Sequence, residues 1–374
     1  MRRMAETQLD SGDRRLPSLT GLRFLAAFAV FGFHVAVADP VAAAHGMPAA
    51  ARWIFRPGAT GVSFFFILSG FVLCWSARPG QTMRRFWRRR AAKVCPNHFA
   101  GAVVALGVAL ITGAAPGAGV VVTNLLLLQA WVPDQKVYFG LNTPSWSLSC
   151  EAFFYLCFPV LLLAVDKLPR RLLWPATGTA LAAVCLMPVV ALALPEHYRY
   201  WFVYVLPPVR MLEFLIGILL ARIVRAGLGI RLGVPPAAAL ALAGYFASGY
   251  LPDGFSYVAG TVVPLALLIP AVAAGDLRGT PSILRSRALI WLGEVSFAFY
   301  LVHQLVIRFV DRAAGNWLWS HLHPLVVGLL MLSLSLAASW ALYRLVERPM
   351  MARLAGSRGR SPAPAPRPAE ATVP

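Results

Sequence analysis

The sequence predicts an all-α fold, a polytopic membrane helix bundle of about ten transmembrane helices with both termini cytoplasmic. Three observations carry this. The 374-residue chain is 59% hydrophobic and only 13% charged, which excludes an ordinary soluble or disordered chain. Ten long apolar segments succeed one another, at 19–38, 60–77, 98–114, 147–165, 172–194, 206–224, 233–250, 256–274, 288–308 and 324–346. Most approach the ~20 residues needed to cross a ~30 Å bilayer core. With the N-terminus inside, 26 Lys and Arg residues fall on inner stretches, 6 on outer ones, and 2 within spans. That is the positive-inside pattern, and it accounts for the net charge of +19 without a nucleic-acid partner. The expected organisation is a cytoplasmic segment 1–15, a membrane domain 16–350 and a disordered Pro- and Ala-rich tail 351–374.

In order, the first segment runs from Leu16 to Pro40, with Ser18 and Thr20 available as caps and Asp39-Pro40 as a stop. Arg14-Arg15, the apolar run and Ala36-Val37-Ala38 imitate a secretory signal, but His34 inside the run and the many later spans argue for a retained helix. Arg23 and His34 interrupt it eleven residues apart. That is about three turns, so both lie on nearly one face, ~16 Å apart. Asp39 lies ~140° around from His34 and is badly placed to partner it. Ionisable groups at membrane depth are functional candidates.

The stretch 78–97 is the densest in basic residues, among them Arg89, Arg90 and Lys93. It serves topology and anionic-lipid contact, or it grips a polyphosphate or nucleotide from the cytoplasm. No Gly-rich phosphate loop accompanies it. Residues 120–131 are short for a span and polar at Asn124 and Gln129, so they are expected to be re-entrant or interfacial.

Asn142-Thr143-Pro144 opens the fourth span, in which Ser147, Glu151 and Tyr155 are spaced four apart on one face. The sixth span carries Arg210 and Glu213, whose spacing suits mutual pairing. The ninth holds Glu294, Ser296, Tyr300 and His303. Five cysteines form no CxxC pair and read as packing residues, neither a disulfide framework nor a metal site.

Depth gathers some of these residues. At ~1.5 Å rise per residue, His34 and His303 each lie ~22 Å from the inner face. Glu151 and Arg210, counted from the outer ends of descending spans, fall at ~20–25 Å. Four ionisable residues are thus expected in one outer layer, with Arg23 and the basic stretch on the inner side.

The Arg23-to-His34 spacing, Arg89-Arg90 with Lys93-Val94-Cys95-Pro96, Ser145-Trp146-Ser147-Leu148-Ser149 with Glu151 and Phe154-Tyr155, Gly293 with Ser296-Phe297 and Tyr300-Leu301-Val302-His303, and Glu347-Arg348-Pro349 occur in this order. Together they resemble the acyltransferase-3 family of integral-membrane O-acyltransferases, over roughly residues 16–350. Departures are Lys93 where Arg is usual, His98 for an aromatic, Phe297 for Tyr and Ala152 for an acid.

The resemblance implies acyl transfer from acyl-CoA, acetyl-CoA first, to a hydroxyl. It also implies the stand-alone type, similar to enzymes that act on macrolide antibiotics or surface glycans. The family's essential Arg and His fall on Arg23 and His34, and its Ser-to-Glu element on Ser147 and Glu151.

Chemistry agrees with this. Expected roles are His34 as general base, Glu151 and His303 as further catalytic groups, and Arg23, Arg89, Arg90 and Lys93 as donor phosphate ligands. Glu151 is expected to orient His34 or the acceptor. Ser147, Tyr155, Arg210 and Tyr300 are expected to meet the substrate, with no metal required. The rival class is a transporter or flippase for a lipid-linked or glycan substrate, which intramembrane charges also suit. The absence of an inverted repeat argues against it.

Overall fold

The computed structural model describes residues 15–354 apart from positions 79, 81, 112, 114, 230 and 231. The expected tail beyond residue 354 and segment 1–14 lie outside the described residues. Residues 351–354, expected to be disordered, are the end of a helix, Arg348–Leu354.

The molecule is a polytopic membrane helix bundle. Among the described residues nine helices are long and apolar enough to cross a membrane, and a tenth, shorter apolar helix lies at Val234–Ser248. All ten coincide with the apolar segments of the sequence. Side chains such as Val103, Ile111 and Val160 stand more than half exposed on the outside, as expected of a surface facing lipid.

The elements that position the site are α1 (Pro17–Phe33), α2 (Gly61–Ser76), α3 (Met83–Ile111), a short α4 (Ala118–Leu125), α5 (Trp146–Asp166), α6 (Pro207–Arg225), α7 (Gly260–Leu277), α8 (Arg287–Val310) and α9 (Pro324–Leu342). The basic stretch 83–97 is not a loop: it continues as the first turns of α3, with Pro96 inside the helix. Helix α4 spans eight residues, ~12 Å, too short to cross. Gln129 just beyond it is buried and donates to the Ser145 carbonyl at 3.0 Å, tying this short element to the start of α5.

Helix α1 begins differently from its expected capping. Pro17 takes the first turn, and neither Ser18 nor Thr20 caps it. Asp276 of α7 does so instead, accepting from the Ser18 backbone N–H at 2.8 Å and from the Ser18 hydroxyl at 2.6 Å. A carboxylate placed at a helix N-terminus satisfies orphan donors and opposes the dipole. At the other end Asp39 stops the helix as expected and caps the short helix after it, through the Val41 and Ala42 N–H groups.

Two close approaches set the frame. Gly293 of α8 lies against the Thr20 carbonyl of α1, and Gly70 of α2 against the Phe214 carbonyl of α6. A methyl group at either would overlap backbone, so these glycines allow the crossings. Along the α1–α8 seam, Phe299 sits 5.7 Å from both Phe24 and Phe31, two turns apart on α1. This seam holds His34, just past the end of α1, opposite His303 on α8.

Candidate active site

His34 begins a π-helical turn, His34–Ala38, which extends α1. Its Nδ1 lies 2.9 Å from His303 Nε2. His303 is fully buried, and its Nδ1 lies 3.2 Å from the Phe299 carbonyl. A carbonyl only accepts, so His303 carries its proton on Nδ1 and offers a bare Nε2. His34 must then donate from Nδ1. Its own Nε2 is left with a free lone pair.

That nitrogen belongs to a residue lining a cavity of about 580 Å³. Trp146, Tyr200, Tyr204 and Tyr257 give this chamber aromatic walls, and Arg308 and Gln304 give it polar ones. Arg308 is held by the Thr143 hydroxyl. A second cavity of about 560 Å³ shares Ala38, Gln304 and Arg308 with the first.

Arg23 lines a different, small cavity of about 50 Å³, together with Glu151, Ser147, Ser296 and Tyr300. The carboxylates acting most strongly on Arg23 are Glu347 and then Glu151. Lys93 lies in the field of Arg23, Glu347, Arg90 and Glu151. Arg89 and Arg90 are half-buried on the same helix. Arg23, Lys93, Glu151 and Glu347 therefore form one polar cluster near the N-terminal end of α1. Asn97 anchors it, donating to Glu347 at 2.6 Å.

The expectations for Glu151, Arg210 and His303 need correction. Glu151 does not orient His34; that partner is His303. Glu151 instead accepts from Tyr155 at 2.7 Å and faces the Arg23 cavity. The depth reckoning misplaced it because the helical segment starts at Thr143 with a 3₁₀ turn, which puts Glu151 eight residues in rather than four. The pairing of Tyr155 with Glu151 also occupies its hydroxyl within this cluster.

Arg210, expected to meet the substrate, lines none of these three cavities. It pairs with Glu213 at 3.1 Å, both 1% exposed. The guanidinium lies over the rings of Phe66 and Tyr204, at 5.0 and 5.2 Å. The expected mutual pairing is there, and its setting is a sealed strut.

His303, expected as a further catalytic group, stands behind His34 and lines none of the three cavities, so its contact with the site is through His34. Ser147 and Tyr300 do lie at a cavity wall, their hydroxyls 2.9 Å apart.

Sequence reasoning gave no site role to Arg308, one of the six basic residues counted on the outer side, to Gln304 or Asn97, or to Glu347, which it quoted only within the closing motif. Arg308 and Gln304 had a signal, being four apart on the helix of His303. All five π-helical turns among the described residues bring a residue to a cavity or to the polar cluster: His34, Tyr204, Tyr257, Asp311 and Glu347. Such widened turns recur at functional sites. Among the described residues no group of three or more His, Cys, Asp or Glu side chains gathers as a metal site.

Comparisons with known proteins agree with the resemblance. A family model described as "Acyltransferase domain" matches residues 16–344. The chain is 44% identical to "Acyltransferase MdmB" of Streptomyces mycarofaciens, over 96% of this chain and 97% of that protein. It is 29% identical to "Exopolysaccharide production protein ExoZ" of Rhizobium meliloti, over 80% and 91%. It is 26% identical to "Peptidoglycan O-acetyltransferase OatA" of Listeria monocytogenes, over 78% of this chain and 49% of the relative. No solved structure matches the chain.

Proposed function

The chain belongs to the acyltransferase family, and from that premise we propose that it transfers an acyl group from acyl-CoA, acetyl-CoA first, to a hydroxyl. The acceptor is a macrolide or polyketide sugar, or a surface glycan. The glycan reading draws support from the names of the exopolysaccharide and peptidoglycan relatives. The aromatic chamber suits a bulky, partly apolar acceptor bearing a sugar.

The observation that carries the reading is the free Nε2 of His34 at the wall of a chamber, with its tautomer fixed from behind by His303. In the reaction, the acceptor hydroxyl gives its proton to Nε2 as its oxygen bonds to the thioester carbon. The tetrahedral oxyanion is met by the Tyr300 O–H, which turns to it from its ground-state partners Ser147 and Pro144. Collapse breaks the C–S bond, and the imidazolium returns the proton to the departing CoA thiolate. His303, accepting from Nδ1, holds the ring in register and stabilises its cationic form.

With the termini in the cytoplasm, the Arg23–Lys93 cluster and Arg89 and Arg90 lie on the inner side. They then take the CoA phosphates, and the pantetheine arm, on the order of 15–20 Å long, covers the ~16 Å that helix rise puts between Arg23 and His34.

The test is release of CoA by the purified protein. The wild type consumes acyl-CoA when the acceptor is present, and His34→Ala inserts normally but does not. Full turnover by His34→Ala would exclude it as the base. Substrate movement without CoA release would favour a transporter.

A further inference from the structure

The cavity at Arg23 and the chamber at His34 are separate, and the same two side chains, Val62 and Tyr300, line both. Tyr300 is 7% exposed and Val62 3%. The tyrosine does not hang loose. Its O–H lies 2.9 Å from Ser147 Oγ and 3.3 Å from the Pro144 carbonyl, and the Ser147 hydroxyl donates to the same carbonyl at 2.9 Å. The ring is steadied by Phe65, 5.7 Å away, and by His303, 6.0 Å away. On the Arg23 side the space beneath is only about 50 Å³, walled by Phe65, Phe66, Leu148 and Phe297. The side chains common to both walls are thus one aliphatic group and one latched aromatic ring.

From this we infer that Val62 and Tyr300 form a bore that the acyl end of the donor must pass, and that this bore selects acyl groups by width. The inference rests on the proposed approach of acyl-CoA from the Arg23 side. A straight two- or three-carbon acyl group on a pantetheine arm is no wider than the arm itself, so it passes when the latch lets Tyr300 turn aside. A group branched next to the carbonyl is wider and meets Val62. Val62 sits on α2, whose backbone is locked to α6 at Gly70, and a valine side chain has little rotamer freedom. The yielding side of the bore is therefore Tyr300, and the rigid side is Val62. Acceptors need no such passage, because His34 is half-buried and faces the larger chamber directly.

Bromoacetyl-CoA tests this without an acceptor. His34 Nε2 displaces bromide, forming an N–C bond that leaves CoA attached to the ring, and the ring loses its Nδ1 proton. Mass spectrometry then reads the adduct on the His34 peptide. Bromoacetamide, which lacks the CoA portion, serves as the control for folding and for the nitrogen itself.

The wild type should be labelled by bromoacetyl-CoA but not by the branched 2-bromo-3-methylbutanoyl-CoA. Val62→Phe should slow the CoA-borne label about tenfold while bromoacetamide labels as before. Val62→Ala should admit the branched reagent, and Ser147→Ala, which removes the shorter of the two hydrogen bonds that hold Tyr300 and leaves the one to Pro144, should speed the linear one. Equal rates and an unchanged reagent range in all three variants would overturn the bore while leaving the acyl-CoA reading intact. Absence of CoA-borne label on His34 in the wild type, with bromoacetamide still reacting, would instead overturn the proposed donor route and the bore with it.

Discussion

Two polar pairs sit among apolar helices, His34 with His303 at 2.9 Å and Arg210 with Glu213 at 3.1 Å, and they differ in what lies around them. The ion pair is closed on every side: both members are 1% exposed, and two aromatic rings flank the guanidinium. The histidine pair is closed on one side only. His303 is sealed, while His34 is half-buried and lines a chamber. Burial of an ionisable group in a membrane bundle does not by itself mark chemistry. On the proposed reading, what sets the histidine pair apart is one unspent lone pair on a residue at a cavity wall.

The comparison breaks if the open pair can be lost without cost to turnover. His34→Ala should lower turnover about 10²–10⁴-fold, the usual contribution of a positioned base, with thermal unfolding in detergent almost unchanged. The sealed pair should respond the other way. Arg210→Ala leaves Glu213 buried and uncompensated, a loss of about 3–5 kcal/mol in stability, and is expected to show as poor recovery of folded protein. Removing both charges, as Arg210→Met with Glu213→Leu, should restore most of that stability, and comparison of unfolding midpoints checks it.

His303→Gln sharpens the contrast from within the open pair. It replaces the ring nitrogen behind His34 with an amide that is less well placed. A fall of about 10–100-fold in turnover with no change in the donor KM is expected, as for partners that orient a reactive histidine. Arg23→Ala should do the reverse, raising the donor KM about tenfold, since one hydrogen bond to a charged group is worth ~1.5–3 kcal/mol. The smallest effect is at the far end of α1. Asp276→Ala removes its helix cap and should cost about 0.5–2 kcal/mol, read as a lower unfolding midpoint with turnover per folded molecule retained.

The fold was largely legible because lipid imposes a one-dimensional rule. Apolar length and loop charge name the spans, and each of the ten segments has a helix. The histidine pair was half legible: equal depth followed from helix rise, whereas the contact depends on the Phe24–Phe299–Phe31 seam, which no local pattern announces. Glu151 was misread because a single extra turn at the start of its helix moved it ~6 Å in depth. Asp276 and Asn97 could not be found from spacing, and Glu347 stood only within the closing motif, with no partner assigned. Asp276 caps a helix 258 residues away in the chain, and Asn97 meets Glu347 across 250. Partnerships of that range are set by which helices become neighbours.

The widened turn that begins at His34 has a further consequence, for how the gene tolerates changes in length. A π turn accommodates one residue more than an α-helix would over the same stretch. Deleting one residue among 35–38 should let the turn tighten to ordinary pitch and leave His34 in place, so function should survive. The same deletion between Ala26 and Phe33 would swing His34 about 100° around its axis, away from His303, and abolish activity without disturbing insertion. A scan of single-codon deletions along α1 would therefore trace a sharp boundary at the imidazole, silent on one side and lethal to turnover on the other.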